Sequence, residues 1–270
     1  MREYLDLVER VLTHGKRKGN RTGVDTISSF AEHYRVDLSR GFPLLTTKKV
    51  NFSAMLREVL WYLSGEDHIR SLREHTRIWD AWADADGNLD TAYGRYWRRF
   101  PSARMNPVTK QYEVVEVDQI GRVLEMLKTD PDSRRMVVTA WEPGNALSSK
   151  LPPCHYTFVF NVADGRLSCH LTQRSGDIAI GIPFNLAAYS LLTQILAHDA
   201  GLELGEFSHT IVDAHIYINH VDGLREQLIR APRPLPRLQI EPKPVDRLEF
   251  EDFTIIGYDP YPAIKFQVAV

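Results

Sequence analysis

Two hydrophobic periods alternate along this chain, and their alternation predicts an α/β fold, more loosely α+β. Stretches with apolar residues three and four apart read as amphipathic helices: Glu3–His14, Phe52–Leu63, Val117–Leu127 and Leu186–Ala200. Stretches with apolar residues two apart read as strands: Thr26–Leu38, Tyr156–Val162 and Glu206–Ile218. Asp164-Gly165, between two strand-like runs, is a strong hairpin turn signal. At 270 residues and 43% hydrophobic, the chain can bury one large core or two small ones. No linker or internal repeat divides it, so 1–270 is read as one domain.

In order, Tyr4, Leu7, Val8, Val11 and Leu12 make one helical face, stopped by Gly15. Gly15–Gly23 is a basic, glycine-bearing loop. Most such runs are solvated turns; the alternative is a phosphate clamp, with Arg21 as its bidentate donor. In the Phe52–Leu63 helix, ended by Gly65, Glu58 lies at the edge of the apolar stripe, near Met55 and Tyr62. Periodicity alone makes Glu58 a surface residue. A carboxyl held against such neighbours would have a raised pKa, suited to acid–base work. Ile78–Trp82 and Tyr93–Trp97 are dense in aromatics, which at that density ordinarily form core. Pro101–Glu113 reads as a surface excursion. Arg134 and Arg135 precede the apolar run Met136–Trp141; a loop before a strand can aim both at one anion, whereas a strand cannot. Asn185 stands at the start of the helix from Leu186, a common capping place. His215 and Tyr217, two apart on one strand, point the same way. Ala231–Val245 is proline-rich, a surface segment with one short strand.

The hairpin carries the chemistry. With Asp164 and Gly165 as turn residues and a return strand of roughly Leu167–Gln173, Ala163 faces Arg166, Phe160 faces Cys169 and Cys154 faces Ser175. A guanidinium beside a thiol favours the nucleophilic thiolate. Regular alternation would put Arg174 on the face away from Cys154, so the chemistry needs a bulge nearby. An arbitrary cysteine is usually inert core. The Pro152-Pro153 lead-in, His155 and Arg174 move the reading toward a nucleophile.

Leu151-Pro152-Pro153-Cys154-His155, Gln173-Arg174-Ser175-Gly176-Asp177, Gly181-Ile182-Pro183-Phe184-Asn185 and Asp213-Ala214-His215-Ile216-Tyr217 resemble the motifs of the thymidylate synthases. These folate-dependent enzymes methylate dUMP. The resemblance runs from Arg21-Thr22-Gly23 to Val270. It implies a mixed sheet flanked by helices, packed across a homodimer interface. It implies Cys154, Glu58, Arg174, Asn185, Tyr93 and His155 as catalytic residues. For dUMP it implies Arg21, Gln173, Arg174, Ser175, Gly176, Asp177, Asn185, His215, Ile216 and Tyr217, with Arg134 and Arg135 given to the partner's site. For methylenetetrahydrofolate, the co-substrate, it implies Asn51, Ile78, Trp79, Trp82, Asp177, Gly181, Phe184 and the tail residues Ala269 and Val270. The chain departs from the family pattern at Asn51, Thr172, Ala179, Ile211 and Val212, and a changed pocket could admit water to a methylene intermediate. Three readings follow: a thymidylate synthase, a pyrimidine-nucleotide (dUMP or dCMP/CMP) hydroxymethylase of the same fold, and a non-catalytic nucleotide- or RNA-binding protein.

The net charge of −2 gives no overall basic field for nucleic acid. No stretch approaches a membrane span, and the charged N-terminus is unlike a secretory signal. Cys154 and Cys169 are too far apart on the hairpin for a disulfide, which fits a reducing, cytoplasmic setting. No cysteine–histidine cluster has zinc spacing, and no metal is expected.

Overall fold

Helix α1 (Arg2–His14) buries Tyr4, Leu7, Val8 and Val11 of the face foreseen from their spacing, and Leu5 as well, while Leu12 is half-buried. A computed structural model describes residues 1–268 of the chain. After α1 come strands β1 (Lys16–Lys18) and β2 (Thr26–Asp37), then helices α2 (Phe52–Ser64), α3 (Arg70–Arg73) and α4 (Tyr93–Arg98). The hairpin β3 (Phe100–Met105) and β4 (Tyr112–Val117), α5 (Gln119–Thr129), β5 (Val137–Thr139) and α6 (Pro143–Ser148) lead to the central unit. That unit is β6 (His155–Ala163), β7 (Arg166–Asp177), α7 (Gly181–Ala200) and β8 (Glu203–Tyr217). Helix α8 (Val221–Leu228) and the ribbon of β9 (Arg237–Ile240) and β10 (Phe253–Ile256) follow.

Six strands form one mixed sheet in the order β1-β2-β8-β7-β6-β5. The pair β7–β8 is parallel and the other neighbours are antiparallel. A parallel pair needs a crossover, and α7 supplies it. Helix α7 is buried nearly all round, which explains why its sequence is apolar on every face. Its Tyr189 packs with Trp97, Phe158 and Phe207 in an aromatic core; Trp97 and Tyr189 each lie 5.1 Å from the Phe158 ring.

The turn forms as expected, with positive φ at both Asp164 and Gly165, and Ala163 pairs Arg166 while Phe160 pairs Cys169. Four expectations change. The register slips by one between His155 and Thr157, so Cys154 lies opposite Arg174 rather than Ser175. The foreseen bulge is thus in the cysteine strand, at Tyr156. Part of the basic loop is the edge strand β1, whose three cationic side chains are all exposed; a charged edge strand has no apolar alternation to announce it. Pro101–Glu113 contributes to the β3–β4 hairpin, whose outer half is exposed on both faces. Helix α7 begins at Gly181, not Leu186, because Pro183 falls in the first turn, where a missing N–H breaks no helical bond. Asn185 is therefore inside the helix and caps nothing.

One face of β7 and β8 changes its neighbours along its length. Leu171 and Gln173 on β7, and Phe207, His209 and Ile211 on β8, are buried against the core. Farther along the same faces, Ser175, Asp177, Asp213, His215 and Tyr217 open onto a cavity of about 610 Å³. The cavity lies at the carboxyl ends of the two parallel strands, where open α/β sheets usually place ligands.

Candidate active site

Cys154 is half-buried at the head of β6, on the cavity wall. The Arg174 backbone N–H donates to the Cys154 carbonyl at 2.8 Å. Its side chain turns back along the lead-in: Nε donates to the Pro153 carbonyl at 2.9 Å and Nη2 to the Pro152 carbonyl at 2.6 Å. Nη2 then stands 3.5 Å from Cys154 Sγ. The two prolines supply acceptors and no N–H, which suits a guanidinium cradle. Tyr93 Oη accepts the Cys154 N–H at 2.7 Å, and its ring stacks on His155 at 3.8 Å. His155 bonds Tyr189 Oη at 2.7 Å, and burial drives its pKa down to about 3, so it is neutral.

The thiolate does not come without opposition. Burial pushes the Cys154 thiol above its ordinary value, while Arg174 and Arg21 pull it down. Burial takes Cys169 up to about 12. Iodoacetamide should therefore modify Cys154 alone in the folded protein, faster as pH rises beyond the usual thiol range. Peptide mass mapping checks this, and modification of Cys169 would contradict its burial.

Glu58 faces the cavity from α2 and accepts the Trp79 indole N–H at 2.7 Å. Burial raises its pKa to about 6, against the hydrogen bonds from Trp79 and Tyr62. Periodicity placed this residue at the surface; the Trp79 indole and Tyr62, one turn on along α2, hold it half-buried in the cavity wall. Asn185 Oδ1 accepts from Gln173 Nε2 at 3.1 Å. His215 Nδ1 lies 3.5 Å from Asp213, whose carboxyl also accepts from Ser28 at 2.8 Å and Lys18 at 2.6 Å. The bond from His215, then those from Lys18 and Ser28, hold Asp213 well below the usual carboxylate range despite partial burial. Arg21 lines the mouth in a turn where Asn20 bonds both Thr22 and Val24.

The other end is apolar. Ile78, Trp79, Trp82, Phe184 and Val268 line it. The chain before Val268 is fastened by His220, whose Nε2 lies 2.7 Å from the Gln267 carbonyl. Asp177 lines the cavity while accepting from the Ala179 N–H at 2.8 Å.

The cavity thus gathers Cys154, Glu58, Arg174, Asn185, Tyr93, His155, Arg21, Gln173, Ser175, Asp177, His215, Tyr217, Ile78, Trp79, Trp82, Gly181 and Phe184. It does not take in Asn51, which caps α2 by accepting the Ala54 N–H at 3.1 Å. Gly176 and Ile216 are buried behind it. Arg134 and Arg135 are exposed and away from it. Ala269 and Val270 lie outside the described residues. Lys18, Tyr62, Asp213 and Val268 also line the cavity and were not singled out as site residues. Lys18 belongs to the basic run, and Asp213 shares the alternating face with His215, so both had a signal.

The departures Thr172, Ala179, Ile211 and Val212 do not line the cavity. A Cβ added at Gly176 would come 3.0 Å from Ile211 Cγ2 and 2.5 Å from Ile182 Cδ1. Ile211 therefore packs closely against the glycine beside it, behind the lining rather than in it. Among the described residues, no group of three or more His, Cys, Asp or Glu is placed to hold a metal. No described helix is long and apolar enough to cross a membrane.

A family model described as thymidylate synthase matches residues 2–270. The chain belongs to the thymidylate synthase family. It is also similar to a thymidylate synthase of Haloferax volcanii, 45% identical over 326 aligned residues covering 98% of this chain and 95% of that protein. Thymidylate synthases are methyltransferases that use methylenetetrahydrofolate as co-substrate, and that reading stands ahead of the hydroxymethylase. The mixed sheet flanked by helices agrees with the thymidylate synthase fold.

Proposed function

We propose that the protein converts dUMP to dTMP as a cytoplasmic homodimer, with Cys154 as nucleophile. The observation that carries this reading is Cys154 Sγ at 3.5 Å from Arg174, in one cavity with Glu58 and Asn185. The Cys154 thiolate adds to carbon 6 of uracil, and the ring electrons move to O4, leaving carbon 5 nucleophilic. Asn185 faces O4 and N3–H with its amide and stabilises the developing charge. His215 and Tyr217 hold the deoxyribose. Arg21, Arg174 and Ser175, with the partner's Arg134 and Arg135, hold the phosphate. Methylenetetrahydrofolate supplies both the one-carbon unit and the hydride. Asp177 and the wall of Ile78, Trp79, Trp82, Gly181 and Phe184 hold that co-substrate and exclude water. Glu58, through water, moves protons between the ring and solvent. Two free cysteines suit a reducing compartment.

Product analysis with dUMP and methylenetetrahydrofolate tests the reaction: dTMP and dihydrofolate should appear in equal amounts. Recovery of 5-hydroxymethyl-dUMP without dihydrofolate would replace this reading with the hydroxymethylase. The shared site has its own test. Arg135→Ala and Cys154→Ala chains should each be nearly inactive alone. Co-expressed one to one, they should recover about a quarter of wild-type sites, since half the dimers are mixed and each carries one complete site. No recovery would mean that Arg135 does not cross between subunits.

A further inference from the structure

Behind Asn185 runs a chain of buried polar side chains that no step above uses. Tyr34 Oη lies 2.9 Å from His209 Nδ1. His209 Nε2 lies 3.0 Å from Gln173 Oε1. Gln173 Nε2 donates both to the Ser175 carbonyl at 2.9 Å and to Asn185 Oδ1 at 3.1 Å. His209 and Tyr34 are buried, at 0% and 5% exposure, and neither lines the cavity. The resemblance to the family gave neither a role.

The direction of every bond in this chain is fixed from one end. The Ser175 carbonyl can only accept, so the Gln173 atom facing it is the amide nitrogen. Gln173 Oε1 then faces His209, and His209 Nε2 must carry the proton. Its Nδ1 is left as an acceptor, and Tyr34 donates to it. At the other end, Asn185 Oδ1 accepts from Gln173, so the Asn185 amide cannot turn over without facing two donors together. Burial holds His209 far below its ordinary pKa, and therefore neutral with a single N–H to place. Turning the Gln173 amide over would set its oxygen against the Ser175 carbonyl and Asn185 Oδ1, acceptor against acceptor, a penalty that a folded interior does not tolerate cheaply; the His209 N–H on Gln173 Oε1, itself held by Tyr34, anchors the amide that way round.

We infer that Tyr34 and His209 are positioning residues that orient the Asn185 amide through Gln173 and thereby select uracil over cytosine. In the fixed orientation Asn185 Nδ2 is the free donor, and one lone pair of Oδ1 remains. Uracil presents O4 as an acceptor and N3–H as a donor, which matches. Cytosine presents an amino group and a bare N3, so each contact meets its own kind. A freely turning amide would accept either base. The inference rests on dUMP being the substrate.

Two variants of similar size and polarity separate positioning from mere packing. In His209→Gln the side-chain amide can still place a donor near the Nε2 position and keep the bond to Gln173. In His209→Asn the shorter amide reaches only the Nδ1 position, and that bond is lost. Dissociation constants for dUMP and dCMP, measured by equilibrium dialysis, give the discrimination ratio. His209→Asn should lower that ratio by about tenfold or more, whereas His209→Gln should largely keep it. Equal weakening of both nucleotides in His209→Asn, or the same ratio in both variants, overturns the inference while leaving the dUMP reading intact. Failure of the wild-type protein to bind dUMP sinks both. The wild-type protein offers a check that needs no variant to fold: nitrogen NMR of labelled histidine should show His209 protonated on Nε2 only. The opposite tautomer would overturn the inference.

Discussion

Replacing Cys154 with alanine is expected to lower turnover by at least about 10⁴-fold while dUMP binding changes by no more than a few-fold. Carbon 5 of uracil is a poor nucleophile until sulfur adds at carbon 6, and no other thiol is within reach, since Cys169 is sealed in the core. The phosphate, sugar and base contacts assigned here all come from other side chains. The Arg174 cradle is built from the carbonyls of Pro152 and Pro153, so it survives the substitution. Single-turnover formation of dihydrofolate and direct nucleotide binding measure the two quantities. Parallel loss of both would make Cys154 a structural residue.

Glu58→Gln should reduce kcat by about 10²–10⁴-fold, the range typical of a lost acid–base group. The wild-type profile should show an acid limb near the raised pKa of about 6, as the carboxylate that accepts protons is lost, and the variant should lack it. The same shift has a stability consequence of definite sign. A carboxyl whose folded pKa is raised binds its proton more tightly when folded, so stability falls as pH rises from the ordinary carboxyl value through about 6. Above that window the wild-type protein carries a poorly solvated charge that glutamine does not. Glu58→Gln should therefore be the more stable protein at pH 8 and lose that advantage at pH 4, as read from urea midpoints. Equal midpoints at pH 8 would mean that Glu58 is better solvated than its surroundings indicate. Greater stability with lower activity is the pattern expected of a group held in an unfavourable place for its chemistry.

Much of the fold was legible because its signals are local. The apolar stripe of Tyr4, Leu7, Val8 and Val11, the Gly65 stop and the Asp164-Gly165 turn each depend on a few consecutive residues. Period-two runs likewise gave β2, β6 and β8. Elements without a buried face were not legible: β1 is all cationic, and much of the β3–β4 hairpin is exposed. The start of α7 was hidden by Pro183, whose meaning depends on whether it falls in a first turn or an interior. For the site, four motifs hold half of the cavity-lining residues, yet spacing alone left Glu58 at the surface and Asn185 as a cap. Trp79, distant in sequence, holds the half-buried Glu58 carboxyl in the cavity wall. Gln173, on another element, turns Asn185 into an oriented amide.

By itself the sequence determined the helices and strands that bury one face, the hairpin register from Ala163 to Phe160, and most of the reactive side chains, because short-range geometry and residue chemistry suffice for these. Only the tertiary structure decided that a one-residue bulge brings Arg174 to Cys154, that one sheet face passes from core to cavity, and that buried partners set the proton affinity of Glu58. Those outcomes depend on distance and solvent exclusion between segments far apart in the chain, which no local pattern encodes.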